Sequence, residues 1–145
     1  MEHIRKYRGK SRQSEEWVYG CFLKSKSYCC ILQQEENIHE NNFPYLDKDS
    51  GIIDGSLTPV FFESVGQSSM VKDKNEVEMY EGDIVYGAAY WLERCKPAVV
   101  TFRNGSFGLL WYRGDVEEFD PFTSLCNVEY EVVGDIYDNH ELMEG

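Results

Sequence analysis

Residues 98–112, AVVTFRNGSFGLLWY, are the stretch of the chain that most directly predicts its fold. β-Branched and aromatic residues, which favour strands, stand on both sides of Asn104 and Gly105. Asn-Gly accommodates the two positive φ angles of a type I′ turn, whose twist matches that of the flanking strands. The stretch therefore predicts an antiparallel hairpin with a two-residue turn.

Similar runs recur on either side of this hairpin, whereas helical periodicity is almost absent. Residues 17–22 and 28–32 predict a second hairpin around a turn at 24–27, and residues 60–65 predict a further strand. Residues 128–137 alternate apolar and acidic side chains and predict a half-buried strand. Asn139 is expected to cap a short final helical turn at 140–144. The sequence thus predicts a mainly β protein with little helix.

Residues 33–57 are polar and contain Asn41-Asn42, Pro44 and Gly51, a composition that indicates a long loop between two parts of the fold. We expect an N-terminal β-hairpin subdomain over residues 1–64 and a small SH3-like β-barrel over residues 65–145. A chain of 145 residues is also short enough for both parts to pack as one compact domain.

The net charge of the chain argues against two classes of binding partner, nucleic acids and membranes. The chain has 14 basic and 26 acidic residues and a net charge of −12, so it repels phosphate and anionic lipid as a whole. We therefore expect neither non-specific nucleic-acid binding nor membrane binding. The charge is unevenly distributed, because residues 1–26 carry a net +4 and the remainder −16.

The five cysteines are an odd number, and no apolar segment follows the basic start, so a reducing cytoplasmic location is expected. Among them only Cys29 and Cys30 are close in sequence, and neighbours on a strand point to opposite faces. This spacing does not suit zinc. The sequence predicts buried, reduced cysteines, no metal and no cofactor.

No catalytic constellation is visible. The three histidines, His3, His39 and His140, are far apart in the sequence, and no nucleophile elbow or phosphate-binding loop occurs. The nearest approach to an enzyme is the pair Glu81 and Asp83, which would suit a carboxylate-dependent hydrolase if they shared a pocket. We therefore expect no enzymatic activity and keep the hydrolase as an alternative.

The segment Tyr80-Glu81-Gly82-Asp83 has two interpretations. Gly82 can adopt a φ angle that other residues avoid, and Asp83 can accept hydrogen bonds from neighbouring backbone N–H groups. The segment would then shape a turn and start a strand in fixed register. It would otherwise be an exposed recognition loop.

Several distinctive motifs occur in order along the chain: residues 7–10 (YRGK), 16–20 (EWVYG), 72–75 (KDKN), 80–85 (YEGDIV) and 131–137 (EVVGDIY). Taken together, they resemble the YopX family of small proteins encoded by bacteriophages and prophages. The resemblance implies a mostly β fold and a phage or prophage origin, and it brings no established activity, cofactor or catalytic residue. The motif residues that we single out, with a structural role expected, are Trp17, Tyr19, Gly20, Tyr80, Glu81, Gly82, Asp83, Gly134 and Tyr137.

This sequence departs from the family pattern at a few turns. The family commonly has glycine where Met70 and Glu76 stand, and asparagine and proline where Asp135 and His140 stand. The resemblance therefore does not fix the geometry of the turns at these positions.

We interpret the chain as a non-enzymatic protein-interaction module that binds other copies of itself or an unidentified host or phage protein. If the first strand were a free edge, Arg5, Arg8 and Arg12 would form an interaction edge for the acidic body of the next subunit. The same cations would otherwise protect that edge from pairing. A second alternative is that the acidic residues imitate DNA phosphates and occupy a basic host protein.

Overall fold

The computed structural model describes residues 6–33, 57–88, 97–122 and 129–144, and the predicted long loop at 33–57 lies almost wholly outside them. The chain divides into two compact units, Met1–Gln67 and Ser68–Gly145. Nearly all regular structure in the described residues is antiparallel strand. The prediction of a mainly β fold with little helix is confirmed.

The first unit contains strands β1 (Tyr7–Lys10), β2 (Trp17–Lys24), β3 (Cys29–Gln33) and β4 (Leu57–Pro59). The predicted hairpin at 17–32 is present, because β2 and β3 pair from Gly20 with Gln33 to Lys24 with Cys29. β1 pairs with β2 on one side, and on the other side with the first residues of β5 (Gly66–Lys72). β1 is thus an inner strand, and the expectation that it is a free edge is wrong.

The predicted strand at 60–65 is also wrong. β4 ends at Pro59, Val60 forms only an isolated bridge with Ser11, and a 3-10 helix follows at Phe62–Ser64. The hydroxyl of Ser64 accepts a hydrogen bond from the Lys10 N–H at 2.8 Å. It also donates to the Phe61 carbonyl at 2.6 Å. The Ser64 side chain therefore bonds one carbonyl of the tight turn and joins the turn to β1, where the apolar composition predicted a strand.

The second unit contains strands β6 (Glu78–Tyr80), β7 (Asp83–Ala88), β8 (Pro97–Arg103), β9 (Ser106–Arg113), β10 (Val116–Pro121) and β11 (Glu129–Asp135). Five of them form a sheet in the order β10-β9-β8-β7-β11. Consecutive strands are neighbours, and the last strand returns beside the first. This order suits an SH3-like arrangement, but the described strands do not close into a barrel, because β10 and β11 remain edges.

The Asn104-Gly105 hairpin is confirmed. Both turn residues have positive φ, 54° at Asn104 and 79° at Gly105, and the strands meet with Arg103 opposite Ser106. The hairpin contributes directly to the core of the second unit. That core includes Met79, Val85, Ala98, Val100, Leu109 and Tyr130.

The end of the chain differs in detail from the expectation. β11 stops at Asp135, before the predicted end at 137, and the final turn is a 3-10 helix at His140–Met143. The Asn139 side chain does not cap this helix; its Oδ1 accepts a hydrogen bond from the Asp135 N–H at 3.2 Å instead. Asn139 therefore stabilises the turn that precedes the helix. None of the described helices has the length and hydropathy needed to span a membrane.

Candidate functional site

The Tyr80–Asp83 motif shapes a turn between β6 and β7. The buried carboxylate of Asp83 accepts a hydrogen bond from the Tyr80 N–H at 2.8 Å, and Gly82 has a φ of 95°. The Gly82 N–H donates to the Val100 carbonyl, and the Gly82 carbonyl accepts from the Ile136 N–H. These contacts favour the architectural interpretation, because they join the motif to two other segments of the second unit.

Asp73 accepts three backbone hydrogen bonds, although the sequence showed it only as part of a turn. Its Oδ1 accepts from the N–H groups of Asn75 and Val77, both at 2.8 Å. Its Oδ2 accepts from the Val132 N–H on β11 at 3.0 Å. Burial alone raises the pKa of the Asp73 carboxyl, but hydrogen bonds to Val132, Val77 and Asn75 and the charge of Lys74 leave the pKa below its ordinary value.

The other motif residues of the second unit also lie at a turn. The carboxylate of Asp135 accepts from the N–H groups of Tyr137 and Asp138, at 2.9 and 2.7 Å. Gly134 faces Asn139, whose Oδ1 would lie 2.7 Å from a Cβ at this position. Tyr137 itself is exposed. In this unit, buried carboxylates are thus engaged with backbone N–H groups.

In the first unit, cations lie against aromatic rings. The Arg8 guanidinium lies 4.1 Å from the centroid of the Trp17 ring, and the Lys10 ammonium lies 4.7 Å from the same ring. Both basic residues are buried. Arg8 therefore packs inside the sheet and is not on an exposed interaction edge. Arg5 lies outside the described residues.

The motif residues Tyr19 and Gly20, both on β2, differ in their exposure to solvent. Tyr19 is exposed on β2. Gly20 is buried, and a Cβ on it would collide with the backbone carbonyl of Leu32 on the neighbouring strand. Gly20 is therefore needed for the close approach of β2 and β3.

A cavity of about 260 Å³ lies beside the turn between β2 and β3. Three basic residues line it: Arg12, Lys24 and Lys26. The other described residues in its lining carry hydroxyl, aromatic or thiol groups and are Ser25, Ser27, Tyr28, Phe62 and Cys29. We call this feature the basic cavity. Of the residues that the sequence singled out as an interaction edge, it contains Arg12.

The geometry of the basic cavity leaves its charges accessible. The Lys24 ammonium lies 4.0 Å from the centroid of the Phe62 ring, and the Arg12 Nε donates to the Val60 carbonyl at 3.4 Å. Within the described part of the chain, no carboxylate lines the cavity or forms an ion pair with Arg12, Lys24 or Lys26. Three cations in a protein of net charge −12 are thus available to an external anion.

Three of the five cysteines lie in the described residues. Cys21, Cys29 and Cys30 are free thiols, and burial and the neighbouring Cys29 raise the pKa of Cys30. Cys95 and Cys126 lie outside the described residues. Among the residues that are described, no group of three potential metal ligands occurs.

Sequence reasoning missed the basic cavity because it needs residues from separate segments. The alternating Lys24-Ser25-Lys26-Ser27 segment by itself predicts only a turn. Its repeated positive charge was the available signal. The sequence does not place Phe62 beside it, because the two segments are far apart in the chain and the composition at 60–65 predicts a strand where a 3-10 helix forms.

Comparison with known proteins places this fold in a family. The YopX protein family matches residues 6–144. The crystal structure of protein EF1440 from Enterococcus faecalis is similar, with 23% sequence identity and a TM-score of 0.54, and the match covers 99% of this chain and 100% of that one. At this identity the likeness concerns the fold alone. No curated protein matches. Because the family match extends over nearly all of the sequence, the chain belongs to the YopX family.

Proposed function

We propose that this protein is a non-enzymatic protein-interaction module whose basic cavity binds a carboxylate-bearing surface of another protein. The observation that carries the proposal is the set of three cations, Arg12, Lys24 and Lys26, which have no ion-pair partner among the described residues. An arrangement of this kind attracts acidic partners and sets the rate and specificity of association.

The exposed aromatic rings beside the cations support a protein partner. Tyr28 is 56% exposed and Phe62 is 51% exposed, and both line the cavity. Aromatic and arginine side chains are the types that contribute most to protein interfaces. The cavity thus combines charge for recognition with apolar surface for affinity.

The wider setting of the proposal is a phage or prophage protein that acts in the host cytoplasm, on a host or phage protein or on another copy of itself. Membership of the YopX family supports the phage origin. The division of charge supports self-association, because the second unit carries a net −10 and the basic cavity lies in the first.

A salt-dependent binding assay tests the proposal. We expect a fluorescent heptaglutamate peptide to bind the wild-type chain by anisotropy, more weakly as salt rises. The double variant Lys24→Glu, Lys26→Glu should bind at least about tenfold more weakly. The matched control, Lys72→Glu with Lys74→Glu, makes the same charge change in the second unit. It should bind the peptide with an affinity within about twofold of wild type. Equal loss in both variants, or no binding by wild type, would contradict the proposal.

A DNA mimic remains the second candidate function. Strand β10 and the turn before it carry the carboxylates of Asp115, Glu117, Glu118 and Asp120 along one edge of the sheet. If they imitate phosphates, the protein should displace duplex DNA from a basic DNA-binding protein of the host. Failure to displace DNA at equimolar concentration and low salt would remove this candidate.

The hydrolase alternative has less support. Asp83 is buried and its carboxylate accepts the Tyr80 N–H, which leaves it poorly placed to transfer protons to a substrate. We therefore propose no reaction for the Glu81 and Asp83 pair.

A further inference from the structure

The cations of the basic cavity favour an acidic partner, and the second unit contains a segment of carboxylates with the complementary charge. Residues 115–120 contain four carboxylates and form the turn and edge strand at β10. We call this segment the acidic edge. β10 pairs with β9 and is the terminal strand in the order of the described sheet.

The acidic edge combines charged side chains with exposed apolar ones. Val116 is 60% exposed, and Tyr112, which is opposite Glu117 on the neighbouring strand, is 45% exposed. Charged side chains on an edge strand usually prevent pairing. Here exposed apolar surface accompanies the charges, in the same combination found at the basic cavity.

One carboxylate of the acidic edge, that of Glu117, is in a weak ion pair. Glu117 lies 3.4 Å from the Arg103 guanidinium, but both side chains are exposed, at 49% and 40%. Such surface pairs contribute about 0–1 kcal/mol and exchange readily. A stronger arrangement of cations, including an arginine, can therefore compete for Glu117.

We propose that the acidic edge of one copy docks into the basic cavity of a second copy, so that chains associate head to tail. This inference rests on the proposed function and identifies its partner. The two surfaces belong to different units, which makes the contact heterologous. Heterologous contacts form a ring when the rotation closes and a filament when it does not.

A charge-swap experiment tests the docking. The cavity variant carries Lys24→Glu and Lys26→Glu, and the edge variant carries Asp115→Lys and Glu117→Lys; all four side chains are exposed. Wild type should sediment as an oligomer, and each variant alone should sediment as a monomer. An equimolar mixture of the two variants should associate again, because each cavity then meets an edge of opposite charge.

The matched control is the variant Glu141→Lys, Glu144→Lys, which makes the same change of net charge at exposed positions outside the acidic edge. It should remain an oligomer. Circular dichroism and urea unfolding of each variant check that a monomer is folded, and restored association in the mixture shows this independently.

Three results would overturn the docking: a monomeric wild type, an edge variant that still associates, or a mixture that stays monomeric. If the basic cavity instead takes a different acidic partner, wild type would still bind heptaglutamate after any of these three results, and that binding would still depend on Lys24 and Lys26. The proposed function would then stand, whereas loss of peptide binding would remove both.

Discussion

The buried aspartates of the second unit and the cavity lysines of the first unit have opposite roles. In the second unit, Asp73, Asp83 and Asp135 are buried, and each accepts hydrogen bonds from backbone N–H groups at a turn. In the first unit, Lys24 lies over an aromatic ring and Lys26 is exposed at the rim of the basic cavity. These three carboxylates therefore stabilise the fold, while Lys24 and Lys26 remain available for binding.

This difference shows why net charge alone is a poor guide to function here. An acidic chain suggests a surface of free carboxylates, yet three of the aspartates fulfil structural roles inside turns. Three of the 14 basic residues line one cavity. Substitutions that separate stability from binding can break or sharpen this comparison.

The largest effect is expected at Asp73. Asp73→Ala would leave the N–H groups of Asn75, Val77 and Val132 without their acceptor. These donors are part-buried, so each costs less than a fully buried unsatisfied donor, for which the cost is about 1–3 kcal/mol. We expect a loss of about 3–5 kcal/mol in the free energy of unfolding, measured by urea denaturation. The control Asp115→Ala, at an exposed turn, should change stability by less than about 0.5 kcal/mol. Equal effects would refute the structural role of Asp73.

Acid should weaken the same contacts. The folded-state pKa of Asp73 lies below its ordinary value, so its ionised form stabilises the fold at pH values above the unfolded pKa of about 3.9. That contribution is lost as the pH falls through the folded pKa. The stability difference between wild type and Asp73→Asn should therefore narrow on acidification from pH 6 to pH 2, as followed by urea unfolding. A difference independent of pH would contradict the assignment.

The sequence predicted the features that depend on neighbouring residues. The Asn104-Gly105 hairpin follows from two residues that tolerate positive φ, and the role of Asp83 follows from the ordinary chemistry of turns. The importance of Asp73 was not visible, because its third donor belongs to Val132, 59 positions away. Local patterns contain no information about such a contact.

The first strand illustrates the same limit. Its basic residues suggested an edge, but pairing with β2 and with Gly66 and Gln67 makes it an inner strand, and Arg8 packs on Trp17. Strand order is set by long-range pairing, which composition does not reveal. Similarly, the basic cavity depends on Phe62, whose position beside the Lys24 turn follows only from the fold.

A smaller effect, of opposite sign, is expected at Glu76. It has a φ of 64°, a conformation that costs a side-chain-bearing residue about 1–2 kcal/mol and that glycine adopts freely. Its contact with Lys72 at 3.6 Å is an exposed ion pair. Glycine also makes the unfolded chain more flexible, which offsets part of the gain. Glu76→Gly should therefore raise the free energy of unfolding by about 0.5–1 kcal/mol. Glu76→Ala keeps the strain and should not stabilise; equal thermal shifts for both variants would contradict the explanation.

The smallest effect on stability is expected at Lys26, in the first unit. Lys26 is exposed, and within the described part of the chain it makes no ion pair, so Lys26→Ala should change the free energy of unfolding by less than about 0.5 kcal/mol. The same substitution should weaken heptaglutamate binding about two- to threefold, because one of three cations is lost from the basic cavity. Lys26→Arg keeps the charge and should retain binding. A destabilised Lys26→Ala protein, or one that binds like wild type, would show that the cations of the first unit are not reserved for a partner.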